Sequence, residues 1–304
     1  MNHNITHENN CNLFIFIRST YMGERMAYYT KRNNAMNEPL KYLSIISDGM
    51  AQGHCKLPWM ANIKDVDSDK QLDQHLQGVY AHGRSIGIYR AFQNVKLTTN
   101  AQLHSFLLHL ESLTKKIEAD GSVSTVPLPE TLFYQVDGGP ENANRVVYAM
   151  MEFLVAKRLF KKIVLARLLV GHTHEDIDAK FAKIWKMIRS AHVLTAQQYD
   201  LLIKKALGSQ RLFCEVFDVF VIPDYIKFLE KFIDPEFERF AKLKWTELEF
   251  TFEAVSVSDD FPLGVKVTYR PYCAEKAVLI VSDSRAPCQM IDDHLINIVP
   301  MPKV

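Results

Sequence analysis

The sequence predicts an α/β fold in which a mixed β-sheet is covered by helices. Short, nearly continuous apolar runs at residues 42–47, 131–136 and 163–170 have the pattern of strands buried on both faces. Between and after them, apolar residues recur at three- and four-residue spacing, the period of helices with one buried face. The composition is 48% hydrophobic, 11% aromatic and 23% charged over 304 residues. It suits one large domain, or a medium domain with a smaller partner, and excludes disordered, collagen-like and repeat classes.

Taken in order, residues 1–40 read as a leader and helical segment. Asn and His crowd the first ten positions, and Leu13-Phe14-Ile15-Phe16-Ile17 is too short for a signal-peptide core. No apolar run approaches the roughly 18 residues of a membrane-spanning helix. The run at 42–47 ends in Asp48-Gly49, so the strand delivers a carboxylate at its carboxyl end. Residues 53–73, polar and containing Pro58 and Trp59, read as a loop. Two strand-like stretches, 78–90 and 91–97, suggest a meander. Thr99 or Asn100 then caps a helix with Leu103, Phe106, Leu107, Leu110, Leu113 and Ile117 on its apolar stripe.

A Gly/Ser/Pro linker at 121–129 leads to the strand 131–136, which ends in Asp137-Gly138-Gly139-Pro140. Pro140 suits a first helical turn, and Val146, Val147, Met150, Met151 and Leu154 continue that helix to about Phe160. Glu141, Asn142 and Asn144 at its opening read as solvent-facing. The strand 163–170 runs into Gly171-His172-Thr173, and the next helix carries Ile177, Phe181, Ile184, Trp185 and Ile188 on one face. Beyond Leu194, helices at 195–207 and 225–243 and strands at 248–255, 264–269 and 277–282 read as a small mixed α+β subdomain. The divisions are therefore 1–40, a core at 41–192, and 193–304.

Acids recur at comparable places: Asp48 and Asp137 at strand ends, and Glu175, Asp176 and Asp178 where a helix follows a third strand. Ligands of open α/β sheets sit outside the carboxyl ends of strands, and neighbouring strands are about 4.8 Å apart. If the first two strands are adjacent, Asp48 and Asp137 converge. A third carboxylate completes a cage of hard oxygen ligands suited to Mg²⁺ or Mn²⁺, two of which serve in-line phosphodiester displacement. At about 100° per residue, Asp178 falls on the rim of the apolar stripe. Glu175 and Asp176 point away from it, and Thr173-x-x-Asp176 resembles a capping box. The order of choice is Asp178, then Glu175, then Asp176. His172 and His174 stand ready to shuttle a proton or touch a phosphate, or to bond backbone near the helix start.

Five scattered cysteines without a C-x-x-C pair argue against a disulfide framework and a cysteine-based zinc site. With the missing membrane signal, they place the chain in the nucleus or cytoplasm. Lys plus Arg is 36 and Asp plus Glu is 35, a formal net charge of +1. That sum conceals a local excess, because residues 157–189 hold nine basic side chains against the three acids at 175, 176 and 178. Such a wall around an acidic site suits a phosphate backbone.

The strings Leu43-Ser-Ile-Ile-Ser-Asp-Gly-Met50, Tyr80-Ala-His-Gly83, Gln135-Val-Asp-Gly-Gly-Pro-Glu-Asn142 and Leu169-Val-Gly-His-Thr-His-Glu-Asp-Ile-Asp178 carry a resemblance. They look like a domain of unknown function found in eukaryotic transposon-derived proteins, similar to the catalytic cores of RNase H-like (DDE/D) transposases and retroviral-type integrases. It covers roughly residues 20–195. The resemblance implies an RNase H-like, five-stranded mixed sheet with its first strand central. It also implies metal-binding acids at Asp48, Asp137 and Asp178, two Mg²⁺ or Mn²⁺ ions, and cleavage and strand transfer on DNA at transposon ends or targets, with a possible homo-oligomer. Relatives often have an acid where Ala51 stands and Asn where Gly138 stands.

Two other functions compete. One is a transposon-derived nucleic-acid or protein-binding module without catalysis. The other is a zinc hydrolase of the metallo-β-lactamase type, because His172-x-His174-x-Asp176 imitates part of its signature, with Ile177 where a closing His would stand.

Overall fold

The computed structural model describes residues 22–23, 25–61, 63, 68–96, 98–136, 139, 141–142, 144–167, 176–208, 212–230, 233, 237, 248–271 and 278–280. Within them the protein is mixed α/β. Helix α1 spans 25–37. Strands β1 (Tyr42–Gly49), β2 (Trp59–Met60), β3 (Gln74–Ala81) and β4 (Ser85–Phe92) precede helix α2 (Thr99–Leu113). The hairpin β5 (Lys115–Ile117) and β6 (Val123–Thr125) leads to β7 (Thr131–Val136), α3 (Arg145–Ala156), β8 (Lys162–Arg167) and α4 (Asp176–Ile188). There follow β9 (His192–Val193), α5 (Ala196–Leu207), β10 (Phe213–Asp218), α6 (Tyr225–Leu229), β11 (Leu248–Ala254), β12 (Val265–Pro271) and β13 (Val278–Ile280).

Leaving aside β2, β9 and the β5–β6 hairpin, the succession from β1 to α4 is the strand, strand, strand, helix, strand, helix, strand, helix read from the sequence. These strands belong to a nine-stranded sheet in the order β10-β4-β3-β1-β7-β8-β11-β12-β13. β1 is antiparallel to β3 and parallel to β7, and β7 is parallel to β8. β4 is antiparallel to β3, and β10 is parallel to β4. So β1, β4, β7, β8 and β10 point one way and share a carboxyl edge.

Side chains alternate across the sheet. Leu43 and Ile45 join Tyr134, Leu165 and Phe250 against α2 and α3, with Phe106, Leu110, Met150 and Leu154. Ile46 joins Ile86 and Ile88 against α4 and α5, with Ile177, Ile184 and Ile203. Both faces are covered, which is why the central strands lack polar residues at every second place.

Five strands undercount the sheet. β10 lengthens it beyond β4, and β11 to β13 lengthen it beyond β8. β10 is an edge strand whose sequence, Phe-Cys-Glu-Val-Phe-Asp, gives neither a continuous apolar run nor a clean alternation, so no strand is read there. The meander also breaks earlier than expected, at His82-Gly83-Arg84, where Gly83 takes φ 74°, a conformation that favours glycine. Thr98 is the N-cap of α2, not Thr99 or Asn100, and Ile117 lies in the hairpin, 74% exposed. α3 starts five residues after Pro140 because Asn144 caps it, accepting from the amides of Val146 and Val147 at 3.0 and 3.2 Å. It ends at Ala156, and Arg158 follows with φ 61°.

Candidate functional site

The carboxyl edge of β1, β7 and β8 is where the sequence places its acids. β1 and β7 are adjacent and in register, with Ile45 opposite Tyr134 and Ile46 opposite Gln135. Asp48 stands two residues beyond Ile46, and β7 ends at Val136. The next residue in the chain is Asp137, which, like His172, His174 and Glu175, lies outside the described residues. Alternation puts Asp48 on the same face as Ile46, under α4. Asp48 is half-buried, and its carboxylate accepts from the Gly49 amide at 2.7 Å.

β3 pairs Gly78 with Asp48. A Cβ on Gly78 would lie 2.8 Å from the Phe181 ring and 3.0 Å from the Ile177 methyl. The missing side chain lets the first two turns of α4 press onto the sheet beside Asp48. In that turn the two described acids diverge. Asp176 turns toward α1 and the β3–β4 corner: its Oδ2 accepts from Arg32 at 2.8 Å and from the Tyr28 hydroxyl at 3.2 Å. Asp178 sits about 200° around the helix from Asp176. Trp185, seven residues later and therefore on the flank of Asp178, stacks on His54 with ring centroids 3.9 Å apart. His54 belongs to the segment that follows β1, so the flank of Asp178 looks toward the carboxyl end of that strand.

Behind Asp48, Ser47 faces the other way into a buried polar cluster. Its hydroxyl accepts from Gln102 of α2 at 2.6 Å and shares a 2.8 Å hydrogen bond with Tyr134 of β7. The three residues are at most 6% exposed. Directional bonds of this kind fix β1, β7 and α2 against one another. Asn144 ties the starts of α3 and α2 together by donating to Thr99 at 2.8 Å, and Asn142 is buried. Neither residue is the solvent-facing one expected. Two helix N-termini with their partial positive charge therefore lie at this edge. On the face under α1, Gln135 is 5% exposed, and its Nε2 has no hydrogen-bond partner among the described residues. It lines a narrow cavity with Lys31, Ser44, Phe133, Val164 and Ala166.

The nine-base wall is not one surface. Arg158 donates to the carbonyls of Gly264 and Val255, Lys161 pairs with Glu130, and the Lys157 ammonium lies over the Phe153 ring. With Lys162, which opens β8, these belong to the end of β8 away from the acids. Arg167 is buried and donates to the Tyr148 hydroxyl at 3.3 Å. What remains is Lys180, Lys183 and Lys186 of α4, the helix that carries Asp178, and Arg189 just after it. Composition along the chain cannot distinguish a basic surface from bases bound to different partners.

Among the described residues, no group of three or more His, Cys, Asp or Glu side chains is arranged to hold a metal ion. Of the six candidate positions, only Asp48 and Asp178 are described. Burial pushes the thiols of Cys55 and Cys214 up to about 12 and about 11, which makes both poor nucleophiles. No helix among the described residues is long and apolar enough to cross a membrane.

Residues 64–256, well over half of the chain, match the family model described as Domain of unknown function (DUF7869). The chain belongs to this family. No curated protein matches it. The DUF7869 match begins after α1 and β1, although β1 lies inside the sheet between β3 and β7. It includes positions 137 and 178 but not 48. The folded unit thus extends ahead of the matched residues, and β1, an interior strand of the sheet, contributes Asp48.

Proposed function

We propose that this carboxyl edge is a metal-dependent phosphodiester-cleaving and strand-transferring site acting on DNA, in an RNase H-like core of the transposase and integrase type. One observation supports it most: the parallel β1–β7 register, with Asp48 and Asp137 each two residues beyond the Ile46–Gln135 pair. The order β4-β3-β1-β7-β8 adds support, since the first core strand is the middle one of these five and they form a mixed sheet, as the resemblance implies.

The donor set suits the metal. Asp48, Asp137 and Asp178 are hard oxygen ligands fit for Mg²⁺ or Mn²⁺, which when bound supply charge stabilisation to attacking and leaving oxygens. The protein's own part is to hold carboxylates on rigid elements, with Ser47, Gln102 and Tyr134 behind Asp48 and Gly78 admitting α4. Asp178 is the third acid in this reading because its flank of α4 looks toward the segment after β1, whereas Asp176 turns to Arg32 and Tyr28 of α1. The α2 and α3 N-termini and the bases of α4 favour a polyanion. Among the described residues, one large sheet with helices on both faces and two two-stranded ones give no support to the zinc-hydrolase alternative, which expects a β-sandwich.

Nicking of supercoiled plasmid in MgCl₂ or MnCl₂ tests the reading. Asp48→Asn and Asp137→Asn are each expected to reduce nicking to background while circular dichroism stays that of the parent. Full activity in both variants refutes the assignment. Nicking that is absent from the parent as well favours the non-catalytic module.

A further inference from the structure

Helix α1, which the sequence presents as part of a leader, lies across the same sheet face as α4. Tyr28 is 1% exposed. Its hydroxyl meets both Asp176, at 3.2 Å, and the Nε2 of His82, at 2.9 Å. His82, itself 2% exposed, anchors to β1 through Ser44, with its Nδ1 2.9 Å from the hydroxyl and 3.1 Å from the carbonyl oxygen. Arg32, one turn beyond Tyr28, pairs with Asp176 at 2.8 Å, and its guanidinium lies 4.7 Å from the centre of the Tyr29 ring. At the other side of the helix, Lys31 pairs with Glu249 of β11, which also holds Arg270 of β12 at 2.6 Å. Burial alone would raise the Glu249 carboxyl. Lys31 and Arg270 outweigh it, and the group stays below the usual carboxylate range.

These contacts give Asp176 a specific task. It is the first residue of α4, two before Asp178, and in this structure it is held by α1. We propose that Tyr28 and Arg32 are positioning residues: by gripping Asp176 they set the rotation of the first turn of α4 and so aim Asp178 at the carboxyl end of β1. The proposal rests on the reading of Asp178 as a metal-binding acid. It assigns the helix ahead of the matched family region to the frame of the site. An ion pair whose side chains are each 28% exposed adds little stability, but its direction can still fix a ligand two residues along the chain.

The test uses the full chain as Arg32→Met, Arg32→Lys and Asp176→Asn variants, with Mn²⁺ titrated by electron paramagnetic resonance and amide hydrogen exchange followed over residues 176–180. Arg32→Met and Asp176→Asn are expected to weaken Mn²⁺ binding about tenfold or more and to speed exchange in that turn, with the thermal midpoint nearly unchanged. Arg32→Lys, which keeps the charge, is expected to recover most of the affinity. Exchange that is unaltered in both disrupting variants overturns the proposal, and so does faster exchange with unaltered Mn²⁺ affinity. If the parent protein binds no Mn²⁺, the metal reading fails and the aiming of a ligand fails with it. Exchange then still decides whether α1 holds the turn.

Discussion

On the face covered by α2 and α3, Phe106, Leu110, Met150 and Leu154 meet Leu43, Ile45, Leu165 and Phe250 in an apolar layer, with the uncharged Ser47–Gln102–Tyr134 cluster set into it. On the opposite face an apolar patch under α4 and α5 gives way to ionic and hydroxyl contacts, Arg32–Asp176, Tyr28–His82 and Lys31–Glu249, that tie α1 to the sheet and to α4. The difference teaches what each kind of contact can specify. Apolar burial is strong but non-directional, so it decides that α2 and α3 pack. Hydrogen-bonded charges add less net stability but fix rotation and register, and Asp48 and the helix that carries Asp178 stand on the face where α1 supplies them.

The comparison breaks most readily by removing a large side chain from the apolar face. Phe106 is fully buried and stacks on Tyr134 with centroids 4.3 Å apart. Phe106→Ala is expected to cost about 3–5 kcal/mol in urea unfolding. Because Tyr134 also belongs to the Ser47–Gln102 cluster, any Mn²⁺ binding should weaken along with it. A loss under 1 kcal/mol would mean that this layer is less tightly packed than the structure indicates.

Acid acts on both faces at once. His109, on α2, lies beside Tyr89 at 3.1 Å and Ser85 at 3.4 Å, and His82 lies on the α1 side. Burial pushes both imidazoles down to about 4. The unfolded chain therefore binds a proton at each near pH 6.5 that the folded chain refuses until about pH 4. Stability is full above 6.5 and falls as pH drops toward 4, by roughly 3 kcal/mol for each group. Urea midpoints measured from pH 7.5 to 4.5 should fall accordingly, and His109→Gln should flatten the slope by about one proton while leaving the share of His82. An unchanged slope would show that His109 is not held neutral.

Smaller and more local is Gly78→Ala. The new methyl meets Phe181 and Ile177 at 2.8 and 3.0 Å, so α4 must shift, at about 1–2 kcal/mol. Metal affinity is expected to suffer beyond what the thermal midpoint indicates, since the shift displaces Asp178 from Asp48. Equal, small changes in both would dissociate the packing of α4 from the site.

Much of this was legible in short range. β7 falls at 131–136 as its apolar run predicts, and of the predicted stripe of α4, Ile177, Phe181, Ile184 and Ile188 are buried while Trp185 is half-buried. The edge strand β10 was not legible, because an edge strand needs no buried pattern on either face. Tyr28 and Arg32 were not legible either. Their partners lie 148 and 144 residues away, and no local period records such a pair. His82 stood inside the string Tyr80-Ala-His-Gly83 without any mark of its role.

By itself, then, the sequence determined the succession of strands and helices and put Asp48 and Asp137 at strand ends, because hydrophobic period and turn residues act over a few positions. Only the tertiary structure decided that β1 and β7 are neighbours in register, that Asp176 serves α1, and that the basic run divides among separate partners. Those outcomes depend on which distant side chains meet. A charge or a hydroxyl has the same identity in the chain whether its partner is water, a carbonyl or a carboxylate from the far end of the fold.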